Sequence, residues 1–187
     1  MMIMKKKQFI DWPSKAAELK KYNLRPLLHD GKQVQEVGEM LSFLRQDYPD
    51  FRHWYNNMIR PGLTDGSRQI YIATDTDGNG LAGVMILKDT PAEKKICTLC
   101  VFDEYQGYGI GTQFVELAAR RLGTPTPLIT VSSRHLEEFE AFFARFLSCD
   151  RIHFARGSSY ENYYRDGMTE YTFNGILPVR LKKAVNG

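Results

Sequence analysis

At 187 residues, with 43% hydrophobic and 12% aromatic content, the chain can bury one substantial core and is too short for two independent domains of ordinary size. Its formal charge of +3 comes from 25 basic and 22 acidic residues interleaved along the sequence, a balance too mild to argue for a nucleic-acid partner and compatible with an anionic ligand. No stretch approaches the ~20 apolar residues of a membrane span, MMIMKKKQFIDW leads into no apolar leader segment, and Cys97, Cys100 and Cys149 complete no zinc ligand set, so the expectation is a cytoplasmic protein with reduced thiols, no membrane association and no metal.

Residues 1–21 read as an accessory segment, a lysine cluster followed by Trp12, Pro13 and the short helical pattern SKAAELKKY. A single domain is expected from 22 to 175. YNLRPLL predicts its first strand, and Val34, Val37, Leu41 and Leu44 then recur at helical spacing. A second helix follows Tyr48-Pro49, with Phe51, Trp54, Tyr55, Met58 and Ile59 on its apolar face and Pro61-Gly62 as its stop.

The pattern then switches to β. QIYIAT (69–74), the turn DTDGNG (75–80), LAGVMILK (81–88) and KICTLCVF (95–102) predict a meander of three antiparallel strands. The third is apolar at nearly every position, as a strand covered on both faces must be, and is therefore central. A helix is expected from Thr112 to Leu122, with Phe114, Val115, Ala118, Ala119 and Leu122 on one face and Gly123 as its stop. LITVS (128–132) reads as a strand, and HLEEFEAFFARFL as a helix packed through Leu136, Phe139, Phe143 and Phe146. Two last strands are expected at RIHFA (151–155) and MTEYTFN (168–174), before a tail over 176–187.

Between the central strand and its helix lie Gly107, Gly109 and Gly111. A glycine-rich turn from a buried strand into a helix leaves backbone N–H groups unpaired and removes the Cβ atoms that would obstruct a ligand. The helix dipole adds about half a positive charge there, so a phosphate or diphosphate is the natural occupant. No Gly-Lys-Ser/Thr is present, and the spacing of G-x-G-x-x-G fails, which excludes the P-loop and dinucleotide-fold fingerprints.

Gln106-Gly107-Tyr108-Gly109-Ile110-Gly111, entered through Val101 to Tyr105, resembles the cofactor signature Gln/Arg-x-x-Gly-x-Gly/Ala of the GNAT family of N-acetyltransferases. The order of elements from Tyr22 to Gly175 is similar to that family as well. The resemblance implies an α/β (α+β) acyl-CoA N-acyltransferase fold, with a mixed, mostly antiparallel central sheet flanked by helices and splayed between its fourth and fifth strands. It implies acetyl-CoA as cosubstrate, its diphosphate over Gln106, Gly107, Tyr108, Gly109, Ile110, Gly111 and Thr112. By the same resemblance Leu99 to Phe102, with Leu99, Val101 and Phe102 foremost, line the thiol end, and Ser133, Arg134, Phe139 and Phe143 border the pantetheine arm.

The implied reaction is direct attack of a primary amine on the thioester through a tetrahedral intermediate, which requires a base, an oxyanion donor and a proton for the leaving thiolate. A backbone N–H near Val101 is the expected oxyanion donor, and Glu93 is the candidate base, acting through water. Phe143 stands where the family often has a tyrosine acid, which leaves Tyr160, Tyr163 and Tyr164 as candidates for that role. Cys100 reads as core packing rather than as a nucleophile. The acceptor side is expected from 30–62 and 157–167, where Asp47, Asp50, His53, Trp54 and Tyr55 mix with Arg45, Arg52 and Arg60; the acceptor is an amine of a small molecule or protein, and a homodimer is an allowed assembly. Two rival readings are a noncatalytic acyl-CoA-binding module, motivated by the missing side-chain acid and base, and an acetyltransferase directed to aminoacyl-tRNA, motivated by the basic N-terminal segment.

Overall fold

Three consecutive β segments build the middle of the molecule. In the computed structural model, which describes residues 22–28, 30–76, 80–147, 152–161 and 169–175, β2 (Arg68–Thr74), β3 (Leu81–Thr90) and β4 (Glu93–Val101) form the expected antiparallel meander. With β1 (Asn23–Pro26), β5 (Leu128–Ser132), β6 (Arg156–Glu161) and β7 (Thr169–Phe173) they make a seven-stranded sheet in the order β1-β2-β3-β4-β5-β7-β6. β4 occupies its centre, and the β4–β5 pairing is parallel while the others are antiparallel.

Helices cover both faces, which is why the central strands carry no polar alternation. One layer is α1 (Gly31–Met40), capped by the Asp30 side chain accepting from the Lys32 amide, followed by a 3₁₀ segment Leu41–Gln46 and then α2 (Phe51–Trp54) and α3 (Arg60–Asp65). Val34, Leu41, Tyr55 and Ile59 pack there against Ile72, Val84, Ile86 and Cys100. The opposite layer is α4 (Ile110–Leu122) and α5 (Leu136–Phe143), whose Phe114, Ala118 and Phe139 meet Met85, Leu99, Val101 and Val131. Gly123 ends α4 in the left-handed conformation at φ 64°, as its position in the sequence predicts.

Two expectations are corrected. Pro61-Gly62 does not stop the second helix: Tyr55–Ile59 forms a π turn in which the Arg60 amide bonds the Tyr55 carbonyl, and α3 continues through Pro61. Proline supplies no N–H to the carbonyl of Asn57, and the wider turn absorbs that loss. The same turn shifts the helical phase, so Ile59 and Leu63 are buried while Met58 is 51% exposed. Of RIHFA, the described residues Ile152 to Ala155 form no strand either. The His153 amide bonds the Pro125 carbonyl and the Ala155 amide bonds the Asn174 side chain, so the last strand pair begins only at Arg156.

Among the described residues no helix is long and apolar enough to cross a membrane, and no cluster of three metal-ligating side chains occurs. Cys97 and Cys100 are free thiols. The segment 1–21, Cys149 and the tail 176–187 lie outside the described residues.

Candidate active site

The site begins with one surplus residue in the central strand. β3 and β4 pair as Ile86↔Thr98 and Leu87↔Ile96, which leaves Cys97 without an opposite number. Such a bulge bends the strand that carries it and increases its twist. β4 pairs with β5 only at Lys95↔Leu128 and Ile96↔Ile129, and the two strands then part, although β4 runs on to Val101 and β5 to Ser132. The backbone edges that face each other beyond the bulge have no strand partner in this seam, and buried backbone groups require one.

Two side chains on these strands share that condition. The hydroxyls of Thr98, 1% exposed, and Ser132, 0% exposed, have no hydrogen-bond partner among the described residues. Thr98 pairs with Ile86, which places it on the α1–α3 face, and Ser132 lies one position from Val131, whose side chain faces α4 and α5. Both hydroxyls therefore belong to the α1–α3 side.

The glycine turn closes one end of the seam. A 3₁₀ turn at Asp103–Tyr105 follows β4, and the Gln106 side-chain amide donates back to the Val101 carbonyl at 3.1 Å and to Asp103 at 3.3 Å. Gly107 and Gly109 take φ of 88° and 79°, a region closed to most side chains, and a Cβ built on either meets nothing within 4 Å. Their conformation is required, and the space before them is open. No side chain caps α4, whose first bond runs from the Gln113 amide to the Gly109 carbonyl, so the amides of Ile110, Gly111 and Thr112 have no intrahelical acceptor. Tyr22 and Tyr105 pack edge to face beside the turn with ring centres 6.0 Å apart, and burial pushes the Tyr22 hydroxyl above its ordinary pKa.

Beyond β5, Arg134 donates to the buried Asp47 at 2.6 Å, and His135 lies between Asp47 at 3.3 Å and Glu138 at 3.4 Å. This network ties the end of the first helical segment to the turn that leaves the seam.

No family model matches the sequence, and no curated protein matches it. Solved structures do. A Desulfovibrio desulfuricans protein assigned to the GNAT family of acetyltransferases is 16% identical, over 82% of this chain and 97% of that one, with a TM-score of 0.58. The spermidine/spermine N-acetyltransferase of Vibrio cholerae is 13% identical, over 84% and 93%, with a TM-score of 0.56. The chain has the GNAT fold. At these identities the likeness is one of architecture, and the parted β4 and β5 belong to it.

Several residues singled out from the sequence fall together on this GNAT scaffold. Leu99, Val101, Phe102 and the run Gln106 to Thr112 occupy the end of β4 and the turn, and Ser133 and Arg134 follow directly on β5. Arg134 is engaged by Asp47, and the Ser133 hydroxyl accepts from the Thr169 amide at 3.4 Å. The structure does not bring Glu93 to the seam. It begins β4, eight residues and roughly 26 Å of strand from Val101 at ~3.3 Å per residue, and is ion-paired with Lys88. Tyr160 lies on β6, where its backbone pairs with Glu170 of β7, while Tyr163 and Tyr164 lie outside the described residues.

The aromatic positions divide differently from the sequence expectation. Phe139 is fully buried, and Phe143 stacks on Phe154 with centres 4.1 Å apart and meets Phe173 edge-on at 4.7 Å, so its ring fills the core under β6 and β7. Phe142, which the sequence reading passed over, reaches the turn instead: a Cβ on Gly111 would lie 3.3 Å from its ring. The signal in the sequence is the four phenylalanines at 139, 142, 143 and 146, too broad a set for one line of a helix, and all four are buried.

Proposed function

We propose that the protein is an acetyl-CoA-dependent N-acetyltransferase that acts on a primary amine of a small molecule or protein. The observation that carries this reading is the open glycine turn at Gly107 and Gly109, set at the start of a 13-residue helix and continuous with the unzipped edges of β4 and β5. The amides from Gly107 to Thr112 would hold the diphosphate, with the dipole of α4 adding to their attraction. The seam fits an amide-bearing arm, because its strand edges lack partners and the buried Thr98 and Ser132 hydroxyls are unsatisfied. The bound thioester supplies the activated acetyl group. Backbone amides of β4 near Val101 are the assigned oxyanion donors, and the tyrosines at 160, 163 and 164 are the assigned candidates for returning a proton to the thiolate. Likeness of fold to acetyltransferases supports the reading.

A noncatalytic acyl-CoA-binding module is the second reading, favoured by the packing of Phe143 into the core and the engagement of Glu93 by Lys88. Calorimetric titration with acetyl-CoA, followed by thiol release in the presence of an amine panel, separates the two. Saturable binding with amine-dependent thiol release supports the enzyme, binding without release supports the module, and absence of binding overturns both.

A further inference from the structure

On the α1–α3 side of β4 lies a cavity of about 310 Å³, at the small end of the ~300–1,000 Å³ range typical of small-molecule sites. Its walls divide sharply by chemistry. Met40, Phe43, Leu81 and Phe102 line it with carbon, Cys100 and Val101 form its boundary with the strand, and Asp103 and Glu104 contribute carboxylates. Among the described residues neither carboxylate has a cationic partner; the Asp103 carboxylate accepts from the neutral side-chain amide of Gln106. Two residues inward from Cys100 on the same face of β4 is Thr98, whose buried hydroxyl is unsatisfied.

We infer that this cavity receives an organic diamine whose two nitrogens are joined by an uninterrupted apolar spacer. The inference rests on the acetyl-transfer reading for its purpose, but on the cavity for its chemistry. A distal ammonium suits the Asp103 and Glu104 carboxylates, because a charge-assisted bond to an otherwise unpaired acid is favourable in both directions. The methylene spacer suits Met40, Phe43, Leu81 and Phe102, whose side chains offer no acceptor for a hydroxyl or a second charge. A nitrogen at the inner end lies against Cys100 and Val101, where the cavity borders β4. A cation in the middle of the chain would be desolvated against carbon without a partner, which is costly. The cavity thus discriminates by where charge sits along a chain, more than by length.

1,8-Diaminooctane and spermidine test this directly, since both place eight atoms between their terminal nitrogens and differ by one central ammonium. Octylamine, which lacks the distal cation, and 1,8-octanediol, which has none, complete the set. Binding to the full chain is measured by calorimetry, with and without saturating acetyl-CoA, alongside thiol release. 1,8-Diaminooctane is expected to bind at least tenfold more tightly than spermidine, octylamine or the diol. In the Asp103→Asn/Glu104→Gln protein its advantage over octylamine should fall below threefold; the asparagine retains an acceptor for Gln106, and melting curves confirm folding. Spermidine binding as well as 1,8-diaminooctane, a preference for diamine that survives the double substitution, or no amine binding at all in a protein that binds acetyl-CoA would each overturn the inference. Diamine binding that shows this pattern without any thiol release would leave the cavity assignment standing and remove the proposed activity.

Discussion

Arg134 donates to Asp47 at 2.6 Å across 87 positions of sequence, and it does so from the turn immediately beyond β5. Asp47 is 4% exposed and has His135 on its other oxygen, so one buried carboxylate fastens the helical layer to the far lip of the seam. Asp47→Ala is expected to cost about 1.5–3 kcal/mol, the range for hydrogen bonds to charged groups, nearer the lower figure because Arg134 is half exposed and can rehydrate. Urea denaturation checks this, and a loss below about 0.5 kcal/mol would show that the contact does not fasten the layer.

Gly109→Val meets no protein atom on its open side, so its stability cost is that of forcing a branched residue to φ 79°, about 1–2 kcal/mol. Its effect on the ligand should be larger. Acetyl-CoA affinity is expected to fall at least a hundredfold by calorimetry in a protein that still melts cooperatively. Unchanged affinity would dissociate the turn from the cofactor.

Gly83 answers a different requirement. It pairs with Val101 at the far end of the β3–β4 ladder, and a Cβ there would lie 2.7 Å from the Cys100 carbonyl oxygen and 3.0 Å from the Phe114 ring. Gly83→Ala should destabilise by about 1–3 kcal/mol through overpacking, read as a lower denaturation midpoint. A neutral result would mean that β4 shifts freely at this point.

Phe143→Tyr adds a hydroxyl to a ring enclosed by Phe154 and Phe173. An unpaired hydroxyl there costs about 1–3 kcal/mol. Lower melting temperature with turnover unchanged is the expected pair of results. A tenfold gain in turnover would instead place position 143 at the reacting thioester.

Tyr55 is buried and donates to the Val34 carbonyl at 2.7 Å, and burial raises its hydroxyl well above the ordinary value. Its neutral form is favoured by folding, so the associated stability is complete below the unfolded pKa of ~10 and is lost as pH rises beyond it. Tyr55→Phe should cost about 1 kcal/mol at pH 7 and flatten the alkaline fall in stability between roughly pH 10 and 11. Parallel alkaline profiles for the two proteins would refute the assignment.

The meander, the centrality of β4, the glycine turn and the Gly123 stop were all legible, because each is written in adjacent residues: apolar runs, turn residues, a left-handed stop. The bulge at Cys97 was not. Both faces of β4 are buried, so KICTLC shows no alternation whose interruption would reveal an extra residue. RIHFA misled for the converse reason, since its alternating pattern suits a strand while its amides bond Pro125 and Asn174. The Asp47 network joins residues that nothing local connects, and Phe142 was hidden by a helix buried on more than one line. The glycine turn was therefore visible from the letters, whereas the unsatisfied Thr98 and Ser132 hydroxyls required the fold.

The surplus Cys97 also has an evolutionary consequence. Deleting it would restore the even register of β4, letting the ladder that now halts at Ile96↔Ile129 extend toward the ends of both strands. The bend that the bulge gives β4 would be lost with it. If the seam holds the proposed cofactor, relatives of this chain should tolerate substitution at Cys97 more readily than its deletion.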